Sequence, residues 1–213
     1  MICAGDIVGY GPFPSETCAY LEDMKISCIS GNYDVKVLSV IKEGESAVDD
    51  LQKKKRKLVI WTAKNMKKSA QRFLESLPTK LERELPGARR LLVVHGSPAG
   101  TDDDIYPSIT AKGLKSKMDD AEANVLICGH THIPFVKRLG GSLIVNCGSV
   151  GQPVDGDPDP SYALVHIDEE SARGYIVRFS YDVSQITKAV DEIPELSGLQ
   201  DDFVQGTKRR FLQ

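Results

Sequence analysis

The stretch Val125-Leu126-Ile127-Cys128-Gly129-His130-Thr131-His132 decides how this chain is read. Four apolar residues closed by a glycine predict a short buried strand, and the two histidines that follow enter a loop at its carboxyl end. Imidazole is the commonest metal-ligating side chain, and open α/β sheets gather their ligands beyond the carboxyl ends of their strands. The whole chain has 4 histidines, so two in one loop is a concentration rather than background. Working outward, Leu91-Leu92-Val93-Val94 runs into His95-Gly96-Ser97-Pro98 by the same design. Met1-Ile2-Cys3-Ala4-Gly5 leads to Asp6, and Ile26-Ser27-Cys28-Ile29-Ser30-Gly31 leads to Asn32.

Each of these residues has an ordinary explanation when taken alone. A histidine at a strand end is commonly a hydrogen-bonded loop residue, and Asp or Asn beside glycine is common in turns. Four strand ends bearing Asp, Asn, His and a His pair on one rim of a parallel-type sheet are harder to explain that way. Together they form a mixed nitrogen and oxygen cage of the kind that suits manganese, iron, zinc or cobalt better than calcium. His166 lies inside Tyr162-Ala163-Leu164-Val165-His166-Ile167-Asp168, which reads as a strand, and is assigned to structure.

A length of 213 residues is enough for a full core in one domain. The apolar share of 41% and charged share of 27% are those of an ordinary globular protein. A net charge of −3 leaves no electrostatic footprint for nucleic acid. No apolar run approaches a membrane span or the core of a signal peptide. Five cysteines, several inside apolar strands (Cys3, Cys28, Cys128), fit buried reduced thiols in a cytoplasmic protein better than a disulfide framework. Cys128 and Cys147 flank ligand loops, which leaves a soft-ligand role as the lesser alternative. The run Lys53-Lys54-Lys55-Arg56-Lys57 follows Asp49 and Asp50 and reads as a solvated loop or helix face.

Strands are predicted at 2–5, 26–30, 91–95, 124–128, 133–138, 142–146, 161–168 and 174–181, with a hairpin at Gly140-Gly141. Helices are predicted at 15–24, 34–43, 62–76, 110–121 and 183–191, with Ser15 and Thr62 as N-caps and Pro78 as a stop. Trp61, Met66, Phe73, Leu74 and Leu77 form an apolar stripe that reads as core. Strand and helix alternate early, and consecutive strands follow later. That order predicts an α/β protein, an α/β/β/α sandwich of two mixed sheets flanked by helices. Residues 194–213 are expected to form a C-terminal helix or tail.

Five ordered blocks carry a resemblance. They are Gly5-Asp6-Ile7-Val8-Gly9-Tyr10-Gly11-Pro12, Gly31-Asn32-Tyr33-Asp34, Val94-His95-Gly96-Ser97-Pro98, Gly129-His130-Thr131-His132, and Asn146-Cys147-Gly148-Ser149-Val150-Gly151-Gln152-Pro153. In this order the chain resembles the calcineurin-like metallophosphoesterase family, in particular its small bacterial and archaeal phosphodiesterases. The resemblance implies the same sandwich and a single domain over residues 1–213. It also implies hydrolysis of phosphoric esters with divalent transition metals, manganese first, with iron, zinc, cobalt or nickel as alternatives. Asp6 would bridge two metals, Asn32, His95 and His130 would complete one ligand set, and His132 would belong to the other. Such a pair of cations clamps a phosphoryl oxygen and provides hydroxide near neutral pH. The expected substrate is a small phosphate ester, with neither nucleic acid nor membrane as partner.

Two departures from the family pattern qualify the reading. The family's opening Asp-x-His, which completes the second metal's set, has no counterpart here: Val93, Cys128, His130 and Leu164 stand two before the histidines. The first strand and helix of the fold are therefore expected to be missing, with Met1 an internal methionine of a longer reading frame. Tyr33 stands where many relatives carry a histidine that assists catalysis. Tyr33 and Asp34 are the candidate catalytic residues, Asp34 either orienting the tyrosine or capping the following helix. A phenol, with a pKa near 10, exchanges protons at neutral pH less readily than an imidazole. Two functions follow, a metal-dependent phosphodiesterase or phosphatase and, alternatively, a binding scaffold on the same fold with little or no hydrolysis.

Overall fold

The computed structural model describes residues 1–87, 89–118, 121–139, 141–199 and 203–204. Its centre is a five-stranded mixed sheet built from β3 (Lys80–Leu85), β4 (Arg89–Val94), β5 (Val125–Cys128), β6 (Phe135–Leu139) and β7 (Ser142–Asn146) in the order β3-β4-β5-β7-β6. Strands β4, β5 and β7 run parallel, with Leu91 beside Val125 and Val125 beside Leu143. The outer strands β3 and β6 are antiparallel to their neighbours.

The parallel strands are apolar on both faces because both faces are covered. Leu91, Val93, Val125, Leu143 and Val145 point one way, against an antiparallel pair β8 (Ser161–Ile167) and β9 (Ala172–Arg178) that supplies Ala163, Val165, Ile167, Ala172 and Ile176. Leu92, Val94, Leu126, Cys128 and Ile144 point the other way, against Ile105 and the helix α5 (Ala111–Lys117), which contributes Leu114. Beside this sandwich, β1 (Ile2–Cys3) and β2 (Ser27–Cys28) form a short parallel pair. Helices α1 (Pro14–Asp23), α2 (Asn32–Glu43), α3 (Lys53–Asn65) and α4 (Lys68–Glu75) surround Val8, Val37, Val59 and Leu74 in a separate apolar cluster. The result is the expected α/β sandwich of sheets flanked by helices.

Several expectations are corrected. The predicted helix over 62–76 is two helices: Met66 is extended with ψ 133, and the Lys67 amide donates to Ser15 Oγ at 2.9 Å instead of continuing a helical ladder. Ser15 therefore serves that joint rather than an N-cap, α1 starting at Pro14 after Phe13, and Thr62 lies inside α3. Strand β3 was not expected, because Lys80-Leu81-Glu82-Arg83-Glu84-Leu85 is highly charged. It is an edge strand, where charge is favoured because it discourages pairing with another chain, and Leu81 is the residue it buries. The basic run opens α3. Arg56 pairs with Asp49 at 2.8 Å, while Lys54 and Lys57 donate to the carbonyls of Gly198 and Pro194 at 3.2 and 3.1 Å.

The final helix α6 (Ser184–Asp191) and a 3-10 turn at Pro194–Leu196 bring Val190, Leu196, Leu199 and Phe203 onto Leu58. Most of the tail expected beyond that turn lies outside the described residues, as does Gly140 of the hairpin signal. The hairpin itself joins β6 to β7, with Leu139 opposite Ser142.

Candidate metal centre

Five strand ends meet at one place. β4, β5 and β7 are adjacent and parallel, so His95, the His130 loop and Asn146 share one rim. Hydrogen bonds hold the rim together, Gly129 N to His95 O at 2.8 Å and Cys147 N to Cys128 O at 3.1 Å. Asp6 and Asn32 come from the separate β1–β2 pair, so the single parallel sheet expected to present all the ligands is in fact two ladders. Gly5 and Gly31 permit their approach. A Cβ on Gly5 would lie 2.6 Å from Gly31 N and 2.9 Å from His95 Nδ1, and one on Gly31 would collide with the amide nitrogen and Oδ1 of Asp6.

His95 is the centre of the arrangement and is 2% exposed. Its Nδ1 lies 2.7 Å from the Ala4 carbonyl oxygen. A carbonyl only accepts, so the proton sits on Nδ1 and the neutral ring carries its lone pair on Nε2. Around that Nε2 stand Asn32 Oδ1 at 3.1 Å, Asp6 Oδ2 at 3.2 Å and His130 Nδ1 at 3.3 Å. The amide orientation of Asn32 follows from its other end, where Nδ2 donates to Asp102 Oδ1 at 2.6 Å. His130 turns Nε2 toward Asp104 Oδ1 at 3.5 Å, and its ring meets that of His95 edge-on with centroids 5.1 Å apart. Asp6, His95 and His130 each offer one atom within 4.8 Å of the others, so the three can hold one divalent ion.

The electrostatics follow from that crowding. Although burial opposes charge, the contact with His95 holds Asp6 below the usual carboxylate range. In the same way, Asp6 outweighs burial and raises His95 above the ordinary imidazole value. Burial, with His95 next to it, pushes His130 down. Asp6, His130 and His132 sit at positive φ (54, 60 and 58), a region uncommon for non-glycine residues. The buried Asn146 holds the loop that carries the two histidines by two contacts and ties it to the Gly148 loop by a third. Its Nδ2 donates to Gly129 O at 2.7 Å and Thr131 Oγ1 at 2.9 Å, and its Oδ1 accepts from Gly148 N at 2.9 Å.

The remaining predicted residues fall in different places. His132 has Nδ1 2.7 Å from Gln152 O and stands outside the cluster of Asp6, His95 and His130. Asp34 is fully buried. Its Oδ2 accepts from Gly31 N at 2.8 Å and its Oδ1 from Ile7 N and Val8 N at 2.9 and 3.0 Å. It caps α2 and ties down the loop after Asp6, and burial followed by the nearby Asp6 charge pushes its carboxyl up to about 7. The Tyr33 amide donates to Asp6 Oδ1 at 2.8 Å. The Tyr33 ring lies so close to Gly9 that a Cβ there would come within 2.7 Å of it. Among the described residues the cluster includes no cysteine; Cys128 is buried and Cys147 half-buried, and desolvation pushes both thiols up, Cys147 to about 11. His166 is exposed on β8, away from the centre, with Asp168 3.9 Å away.

Sequence reasoning missed Asn146 as a support for the histidine loop and missed Asp102 and Asp104 altogether. Three consecutive aspartates soon after His95-Gly96-Ser97-Pro98 were the available signal.

Carboxylate and imidazole groups gathered beyond parallel strand ends make a cluster that can hold a divalent ion. The calcineurin-like phosphoesterase superfamily domain matches residues 1–170, and the chain belongs to that family. The uncharacterized protein MJ0912 of Methanocaldococcus jannaschii is 30% identical over 217 residues, covering 93% of this chain and 84% of that protein. A metallophosphoesterase structure from Sphaerobacter thermophilus superposes with a TM-score of 0.72 at 26% identity, over 96% of this chain and 87% of that one. The hypothetical protein PH1004 of Pyrococcus horikoshii shares the fold with a TM-score of 0.81 at 22% identity, over 96% of this chain and 84% of that one.

Proposed function

We propose that this chain is a divalent-metal-dependent phosphoesterase acting on phosphodiesters or activated phosphate esters. The observation that carries the reading is the convergence of Asp6 Oδ2, Asn32 Oδ1 and His130 Nδ1 on His95 Nε2 at 3.1 to 3.3 Å. Lone pairs facing one another in a buried place repel, and a cation among them removes that repulsion. The donor set of two imidazole nitrogens and two oxygens fits manganese, with iron, zinc, cobalt or nickel as alternatives. We assign Asp6, Asn32, His95 and His130 to one ion and His132 to the approach of a second.

A bound ion would supply Lewis acidity, lower the pKa of a water and stabilise charge on the phosphoryl oxygens. The protein's own groups fix where that happens. Ala4 O holds His95 in the tautomer that presents Nε2, and the Tyr33 amide holds one Asp6 oxygen so that the other faces His95. Asp34 acts in positioning, since its oxygens bind backbone amides of the Asp6 and Asn32 loops. Tyr33, beside Asp6, is the candidate hydrogen-bond donor to the leaving oxygen.

We read residues 1–213 as one domain, since the packing of Leu196, Leu199 and Phe203 on Leu58 continues past the family match. No described helix is long and apolar enough to cross a membrane, and the unbridged cysteines support the cytoplasmic setting. The test is hydrolysis of bis(4-nitrophenyl) phosphate by the chelated protein with manganese restored. Turnover that depends on manganese and is lost in His95→Ala and Asn32→Ala is the expected result. Manganese binding without turnover by the wild type would instead make the chain a binding scaffold on this fold.

A further inference from the structure

Asp102, Asp103 and Asp104 are three adjacent carboxylates with three different attachments, and none belongs to the cluster of Asp6, His95 and His130. Asp102 Oδ1 accepts from Asn32 Nδ2 at 2.6 Å and from Lys36 Nζ at 2.9 Å. Asp104 Oδ1 lies 3.5 Å from His130 Nε2. Asp103 instead takes the Ser97 hydroxyl and the Lys117 ammonium. The loop that carries them is fixed against the residue following His95: a Cβ on Gly96 would meet the carbonyl oxygens of Gly100, Thr101 and Asp103 at 2.6 to 2.7 Å. Ser97 N to Gly100 O at 2.9 Å and Gly100 N to Ser97 O at 3.1 Å close the same turn.

We infer that Asp102 and Asp104 are positioning residues for metal capture, and that Asp103 is the anchor that lets one rigid loop serve both. An asparagine side chain presents oxygen or nitrogen by a half-turn about one bond, and only the oxygen can face a cation. Asp102 accepts but does not donate, so it takes the NH2 end and leaves Oδ1 toward His95. A histidine likewise turns one ring nitrogen or the other inward, and a carboxylate beside Nε2 favours the tautomer whose lone pair is on Nδ1. Partners of this kind, behind the ligands, typically change metal affinity by about 10- to 100-fold. Lys36 binds the same oxygen of Asp102 as Asn32 does and lies 5.6 Å from the Tyr33 ring centroid, so the clamp extends to the residue beside Asn32. This inference rests on the metal centre proposed above.

Calorimetric titration of the full chain with manganese tests the inference without recourse to activity. Asp102→Ala and Asp104→Ala should each weaken binding by about tenfold or more. Asp102→Asn, which keeps an accepting oxygen, should restore most of the loss. The double variant Asn32→Ala/Asp102→Ala should bind no more weakly than Asn32→Ala, because Asp102 acts through Asn32. Melting in chelator checks that each variant is folded, and if the alanine variant is not, comparing Asp102→Asn with Asp102→Leu gives the same contrast. Additive losses in the double variant, or unchanged affinity in Asp102→Ala, would overturn the inference while leaving the centre intact. Wild-type protein that takes up no manganese would instead overturn the centre itself.

Discussion

The side-chain amide of Asn146 donates to the hydroxyl of Thr131 at 2.9 Å, and both residues are completely buried. Thr131 stands between His130 and His132, each at positive φ, so this one contact secures the turn that presents both rings. Asn146→Ala would leave the Gly148 amide without its partner, while the Gly129 carbonyl would keep the Thr131 amide at 2.7 Å. Buried groups left in that state cost about 1–3 kcal/mol each. A loss of roughly 1–3 kcal/mol in urea unfolding is expected on that basis, together with weakened manganese binding. Unchanged urea midpoints would show that the loop holds itself.

Gly31→Ala should damage the centre without touching a ligand. Its added Cβ would strike the Asp6 amide and carboxylate, and backbone on that side has little room to move because Asp34 ties Gly31 N, Ile7 N and Val8 N together. A drop in manganese affinity of about tenfold or more, the scale on which misplaced ligand supports act, is expected by calorimetry along with a lowered melting temperature. Wild-type affinity in this variant would mean that the approach of the two loops is not what sets Asp6 in place.

Manganese should raise the melting temperature of chelated protein and excess chelator should lower it again. A ligand that binds only the folded state adds RT ln(1 + [L]/Kd), about 2.7 kcal/mol at roughly a hundredfold excess over Kd. In His95→Ala the increment should vanish. A midpoint that stays flat across millimolar manganese would count against the site.

The Asp103–Lys117 pair predicts a pH dependence. Burial opposes its charge, but Lys117 and Ser97 hold the Asp103 carboxyl below the usual range. A depressed folded-state pKa contributes stability that is present above the unfolded value, about 3.9, and is lost as pH falls through the folded value. Lys117→Met should therefore be less stable than wild type by about 1 kcal/mol or less at pH 7, the pair being partly exposed. The gap should close in urea titrations carried well below the unfolded carboxylate value. A gap that is the same at pH 7 and in acid would mean that Lys117 stabilises through packing.

Leaving-group chemistry distinguishes what Tyr33 does. A phenol near the leaving oxygen is a poorer proton source at pH 7 than an imidazole, so rates across substituted phenyl phosphodiesters should rise steeply as the leaving phenol becomes more acidic. Tyr33→His should flatten that dependence and help alkyl esters most. A flat series in the wild type would show that an effective acid is already present.

Much of this was legible in the order of residues. Apolar runs ending in glycine and then Asp, Asn or His placed the ligands at strand ends, because a strand short enough to be buried must turn where its apolar residues stop. The sandwich was legible as well, from strands that alternate with helices and then follow one another. The break at Met66 was not, since it depends on Ser15, 52 positions away in sequence from Lys67; a periodic pattern cannot register a hydrogen bond made across the fold. Nor was β3, whose charged residues suit an edge that exists only once β4 has its neighbours. By itself the sequence determined which atoms could bind a cation. Only the tertiary structure decided which of them meet, bringing Asp6 and Asn32 on one ladder to His95 and His130 on another, and setting Asp102 and Asp104 behind them. Residue type carries donor chemistry, whereas convergence and orientation come from loop packing between distant segments.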